Sequence, residues 1–115
     1  MPQLIQTNNA LVRINPQNNH IEESTTNGHI WNPVFTGNTY GRFIDIVFHK
    51  GEILASTERG VYASTTNGRM WTMRFTGTTY GTFRSLLDAG NEVIAQTDRG
   101  LYASKDGGRT WVPRR

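Results

Sequence analysis

Three observations predict an all-β chain built from repeated four-stranded antiparallel units. One turn recurs at fixed spacing: Ser24, Gly28 and Trp31 are followed by Ser64, Gly68 and Trp71, then by Ser104, Gly108 and Trp111, 40 residues apart each time. Residues 24–63 laid on 64–103 agree at half of their positions, among them Phe35-Thr36-Gly37 on Phe75-Thr76-Gly77 and Arg59-Gly60 on Arg99-Gly100. Apolar residues come in short bursts between glycines, with no sustained helical spacing. Self-similarity at such a period marks a repeat architecture, in which each unit is one supersecondary element.

The first unit is the least regular. Leu4-Ile5 reads as the remnant of an innermost strand, and Leu11, Val12 and Ile14 as a second strand. The polar run Pro16-Gln17-Asn18-Asn19 makes a loop, and His20 to Ser24 is a third strand. Glu22-Glu23 stand where later units have Tyr62-Ala63 and Tyr102-Ala103, so this strand is expected to be more exposed or to face a different neighbour.

The second unit is clearer. Phe43 to Phe48 is apolar almost throughout, as a strand buried on both faces would be, and Glu52 to Thr57 follows the Lys50-Gly51 turn. Glu58-Arg59-Gly60 predicts a three-residue hairpin with its glycine left-handed. Val61 to Ser64 is the third strand. After the Thr66-Asn67-Gly68 turn, Met70 to Thr76 is the fourth, with Trp71 and Phe75 expected on a packed face. The third unit repeats this as Phe83 to Leu87, Glu92 to Thr97, Leu101 to Ser104 and Arg109 to Val112. Four antiparallel strands in about 40 residues is the size of a β-propeller blade, and the chain divides into a single domain of blades near 1–36, 37–76 and 77–115.

The stretch Ser104, Asp106, Gly108, Thr110, Trp111 matches S-x-D-x-G-x-T-W and resembles the Asp-box, or bacterial neuraminidase repeat, of sialidase-like and sortilin-like propellers. The copies at 24–31 and 64–71 are degenerate, with Thr26 and Thr66 for the aspartate and Ile30 and Met70 for the threonine. The chemistry of the box is that of a staple. A short carboxylate accepts amides of its own turn, glycine permits positive φ, and tryptophan supplies apolar area. Ser24, Gly28, Trp31, Ser64, Gly68, Trp71, Ser104, Asp106, Gly108, Thr110 and Trp111 are therefore expected to be structural.

Three blades leave two apolar flanks, whereas propellers run from about 4 to 8 blades. Completion to six blades by a homodimer, with its twofold along the channel, is the economical closure, and six is the number the family resemblance implies; a trimer of nine blades falls outside the typical range, and a chain that is a fragment of a larger propeller is the open alternative. Function is expected on the face opposite the boxes. There Thr39 and Tyr40, followed by Arg42, recur as Thr79 and Tyr80 in one set of loops, and Arg59 recurs as Arg99 in the other. Tyrosine and arginine together suit a peptide, a carboxylate or a sugar; the plainer expectation is packed tyrosines and solvated turn charges.

The remaining classes are narrowed by what is missing. No cysteine means no disulfide or thiolate site, and no metal or other cofactor is expected. Net charge +3 with scattered arginines, only Arg114-Arg115 forming a run, argues against nucleic acid. No apolar segment has the length of a membrane span and no leader is visible, so a soluble chain of the cytoplasm or of a viral particle is expected. The sialidase resemblance would imply an arginine triad and a paired set of catalytic groups, and this chain shows neither; Arg13-Ile14-Asn15-Pro16 matches the family's arginine strand only faintly. His20, His29 and His49 follow no ligand spacing and are read as surface residues. The expectation is a non-enzymatic adaptor or structural module in a protein assembly, with glycan binding as the alternative and glycoside hydrolysis as a remote one.

Overall fold

The computed structural model describes residues 4–77 and 79–114. Among them it holds 12 β-strands and no helix: β1 (Leu4–Gln6), β2 (Leu11–Ile14), β3 (Ile21–Ser24), β4 (Asn32–Phe35), β5 (Phe43–His49), β6 (Glu52–Thr57), β7 (Gly60–Ser64), β8 (Thr72–Thr76), β9 (Phe83–Asp88), β10 (Val93–Thr97), β11 (Gly100–Ser104) and β12 (Val112–Arg114). They form 3 four-stranded antiparallel sheets, each in chain order. These are the blades of a β-propeller. The innermost strands β1, β5 and β9 lie side by side, and β4, β8 and β12 form the periphery.

The hairpins follow from their turn residues. His49 pairs with Glu52 across Lys50 (φ 50) and Gly51 (φ 82), both left-handed as the tight primed turn requires. At the opposite end Thr57 pairs directly with Gly60, so the hairpin tip is the two residues Glu58-Arg59 and not three. Gly60 is dictated twice over: its φ is 145, and a Cβ there would lie 1.9 Å from the Phe75 carbonyl oxygen on β8.

Strand alternation sends each blade's two faces into separate cores. Val12, Ile14 and Ile21 of the first blade pack on Phe43, Ile46, Ile53, Ala55, Tyr62 and Trp71 of the second. Val47, Leu54, Val61 and Ala63 of the second pack on Phe83, Leu86, Val93, Ala95 and Trp111 of the third. Both faces of the middle blade are thus buried, and β6 alone supplies Ile53 and Ala55 to one core and Leu54 to the other.

Four further expectations need correction. Trp71 and Phe75 do not share a face: Trp71 meets Phe43 in the first core and Phe75 meets Phe83 in the second. A register shift between Val61 and Tyr62, opposite Phe75 and Met73, inserts Arg74 as a bulge and reverses the alternation. The fourth strands start later than the sequence suggests, at Thr72 and Val112, because the preceding turns take up the residues through Trp71 and Trp111. β3 is not exposed; Glu22 is 8% accessible and is held by Arg13 at 2.8 Å and by Asn15 at 3.0 Å. His49 is 2% accessible, with Nδ1 2.8 Å from Asp88 Oδ1 on the next blade, so it is an interblade tie.

Candidate functional site

The two ends of the blades differ in what their polar groups do. At one end lie the three Ser–Gly–Trp turns, where Ser24, Ser64 and Ser104 Oγ each accept the amide of the glycine four residues on, at 2.9 Å. Trp71 and Trp111 donate Nε1–H to the Gly68 and Gly108 carbonyls at 2.8 and 2.9 Å. Asp106 is the strongest of these staples. Its Oδ1 accepts from Ser104 Oγ, Arg109 N and Thr110 N at 2.8, 3.1 and 2.9 Å, and its Oδ2 from Thr110 Oγ1 at 2.6 Å. Burial works against the charge, yet the bonds from Thr110, Ser104 and Arg109 prevail and bring the carboxyl down to about 2. Thr26 and Thr66 reproduce part of this, each accepting one amide at 2.8 Å, from Ile30 and Met70.

A cleft of about 290 Å3 opens at this end between the first two blades. Asn9, Asn67 and Arg69 on its wall are tied together through Glu23 and one another. Asn67 donates to Asn9 at 2.8 Å and to Glu23 at 3.0 Å, and Arg69 pairs with Glu23 at 2.6 Å. The Arg69 hydrogen bond holds the Glu23 carboxyl below its ordinary value. This region braces one blade on the next.

The opposite end carries the connections between blades and the β6–β7 and β10–β11 hairpin tips. Tyr40 and Tyr80 are half-buried there. Tyr40 stacks on Phe35 of the preceding blade at 5.4 Å and meets Tyr62 of its own at 4.7 Å; Tyr80 does the same with Phe75 and Tyr102 at 5.4 and 4.3 Å. Their hydroxyls donate to the Trp71 and Trp111 carbonyls at 3.4 and 3.3 Å. Thr39 and Thr79, beside them, are exposed.

Gly41 (φ 82) and Gly81 (φ 75) let each connection press on a hairpin tip, where a Cβ would meet Arg59 Cγ at 3.1 Å or Asp98 Cβ at 2.6 Å. The tip acids pin the connections. Glu58 Oε1 accepts Arg42 N at 3.0 Å, and Asp98 Oδ2 accepts Thr82 N at 2.9 Å. Asp98 also takes Arg84 at 2.6 Å, and the Thr82 amide followed by Arg84 lowers its pKa.

Between the first two blades this end opens into a cleft of about 600 Å3, whose walls include Asn18, Asn38, Arg42, Glu58 and Arg59. Asn19 fixes one wall, donating to the Phe43 carbonyl at 2.9 Å and accepting the Phe43 amide at 2.8 Å. Arg42 and Arg59 are exposed, and neither guanidinium has an ion-pair or hydrogen-bond partner among the described residues. Arg99 is likewise free on the third blade. In contrast Arg13, Arg69, Arg74, Arg84 and Arg114 are each paired with a carboxylate.

Sequence reasoning put Arg42 and Arg59 together, and the cleft brings them to one mouth. It also grouped them with Tyr40, whose ring is instead packed between blades, and with Arg99, which sits a blade away, where Thr82 stands at the position equivalent to Arg42. It missed Asn18, Asn19 and Asn38. The readable signal was Asn19 ahead of a strand, a residue suited to the left-handed φ of 63 that it adopts. No group of three His, Cys, Asp or Glu side chains able to hold a metal ion occurs among the described residues.

No family model matches the chain, and no curated protein does. Solved structures do. YCF48 bound to D1 peptide superposes with TM-score 0.75 at 21% identity, over 94% of this chain and 38% of that one. YCF48 from Cyanidioschyzon merolae gives 0.71 at 20%, over 96% and 36%, and an ancestral GH74 enzyme 0.69 at 17%, over 96% and 17%. The likeness is one of fold, and the chain spans well under half the length of each of these structures.

Proposed function

We propose that this chain is a non-enzymatic binding and assembly module that docks an acidic peptide segment of a partner protein on its loop end. The observation that carries the reading is the pair of unpartnered guanidinium groups, Arg42 and Arg59, at the mouth of a polar cleft with a fixed wall. Arginine offers a planar fork of donors suited to carboxylates. Arg13, Arg69, Arg74, Arg84 and Arg114 are spent on internal ion pairs, whereas Arg42 and Arg59 line one cleft with their guanidinium groups free among the described residues. A solved structure with the same blade arrangement has a peptide bound, which is consistent with this ligand class.

The tip carboxylates do not suit acid–base work. Glu58 and Asp98 each accept a backbone amide, and they occupy equivalent positions in successive blades. The glycan alternative has less support, because the rings of Tyr40 and Tyr80 are packed against neighbouring rings. Two structural elements complete the reading: the Ser104–Trp111 turn is an Asp-box, and the blades are completed to a ring by a second copy of the chain.

Fluorescence anisotropy with a labelled acidic peptide tests the binding claim, with a glycan array run in parallel. Saturable binding that weakens at least about 10-fold in Arg42→Ala/Arg59→Ala, and weakens with salt, is expected. Equal affinity in the double variant, or saturable sugar binding without peptide binding, refutes it.

A further inference from the structure

The uncovered flanks of the first and third blades are not generic surfaces. Register places Leu87, Ile94 and Leu101 at the positions that Val47, Leu54 and Val61 hold in the middle blade: Val47 pairs with Leu54 as Leu87 pairs with Ile94, and Ser56 with Val61 as Gln96 with Leu101. Val47, Leu54 and Val61 are 6%, 0% and 0% accessible because the next blade covers them, whereas Leu87 and Leu101 are 59% and 38% accessible. The third blade therefore ends on the apolar pattern that its neighbour buries.

The receiving half is defined by the glycines of the turns. A Cβ on Gly68 would meet Ile21 Cγ2 of the preceding blade at 2.6 Å, and one on Gly108 would meet Val61 Cγ1 at 3.0 Å. The first and second blades thus lay Ile21 and Val61 on the turn glycine of the next blade, and Leu101 is the third member of that series. Gly28 has the same left-handed backbone, φ 90 beside 95 and 92, but its missing Cβ faces only Leu11 and Trp31 of its own blade. Among the described residues Leu101 is not seated on a turn glycine, and Gly28 has no aliphatic cover from another blade.

The outer halves also change polarity together. Pairing aligns Arg13 and Glu22 with Ala55 and Tyr62, and Gln96 with Ser56. The ion pair of Arg13 and Glu22, with the guanidinium 4.3 Å above the Trp31 ring, lies on one outer face, and a longer polar side chain, Gln96, on the other. Arg114 adds a directional element. It pairs with Glu92 as Arg74 pairs with Glu52, and Arg74 also donates to the Gly107 carbonyl of the next blade at 2.7 Å. The equivalent acceptor for Arg114 is the carbonyl of Asn27, two 40-residue periods before Gly107.

We infer that the third blade's outer face docks on the first blade of a second copy in the register of the internal interfaces, with Leu101 seated on Gly28 of the partner subunit. This rests on the ring reading above and specifies its contact; one chain carries both halves, so two copies meet in two identical contacts.

Sedimentation velocity of three variants, with a cysteine cross-link, tests it. Leu101→Arg and Leu87→Glu alter exposed side chains and leave the subunit folded by circular dichroism. Each is expected to weaken the dimer at least about 100-fold, as substitution at the centre of an interface does. Met73→Arg, equally exposed but off both outer faces, is expected to leave it intact. The side-chain approach at Gly68 and Gly108 puts the paired Cβ atoms within disulfide range of about 3.5–4.5 Å. Leu101→Cys with Gly28→Cys, in this cysteine-free chain, is therefore expected to give a reducible dimer on mild oxidation. A dimer indifferent to Leu101→Arg and Leu87→Glu and without the cross-link overturns this register while leaving the ring reading standing. A wild-type monomer at all concentrations overturns both.

Discussion

Asp106 gives a prediction whose size and sign follow from geometry. Its carboxylate accepts four hydrogen bonds from its own turn, and its pKa falls from 3.8 to about 2. At about 1.4 kcal/mol per pKa unit the shift corresponds to roughly 2.5 kcal/mol. The side chain is more than a third exposed, so solvent screening reduces this to about 1 kcal/mol. Because the folded-state value is depressed, the contribution is fully present above the unfolded-state value of 3.8 and is lost as pH falls through about 2. Asp106→Thr installs the residue that Thr66 supplies in the second turn, where a single loop amide is held at 2.8 Å. Urea denaturation of both proteins at pH 7, 4 and 2.5 is the assay. The wild type is expected to be more stable by about 1 kcal/mol at pH 7, with the gap shrinking toward pH 2.5. A gap that stays constant over that range refutes the argument, since comparing the two proteins removes the contribution of every other carboxylate.

Two further substitutions test the packing. Gly60→Ala places a methyl 1.9 Å from the Phe75 carbonyl oxygen at a φ of 145, so β7 must part from β8; a loss of several kcal/mol in thermal or urea unfolding is expected, beyond the ~1 kcal/mol typical of a point mutant. Leu54→Ala empties a fully buried site between the second and third blades and is expected to cost about 2–5 kcal/mol by urea denaturation, whereas Leu101→Ala on the equivalent open face costs an isolated subunit under about 1 kcal/mol.

How much of this was readable in the residues depends on what the repeat duplicates. All strands of the second and third units but the last lay within a residue or two of their structural limits, because bursts of apolar residues alternate with turn glycines in both copies; the last was read from Arg109 and begins at Val112. Which face each side chain takes was less legible. Trp71 and Phe75 have the same parity, and only the bulge at Arg74 separates them, a feature with no residue signature of its own. The depth of His49 was hidden because its partner, Asp88, is 39 positions away, and that of Glu22 because Arg13 and Asn15 neutralise it from the neighbouring strand. In the cleft, Arg42 and Arg59 were visible as tip and connection residues. The asparagine wall was not, since Leu11 pairs with Ser24 where Ile53 pairs with Ser64, and the two extra residues of the first β2–β3 loop break the repeat there.

Sedimentation equilibrium of the unmodified chain at micromolar concentration bears most directly on the ring of six blades. A mass of about twice 13.0 kDa, falling only on strong dilution, is the result expected if two copies close the propeller. A mass of 13.0 kDa at every concentration contradicts it and leaves the outer faces of the first and third blades without the cover argued for them.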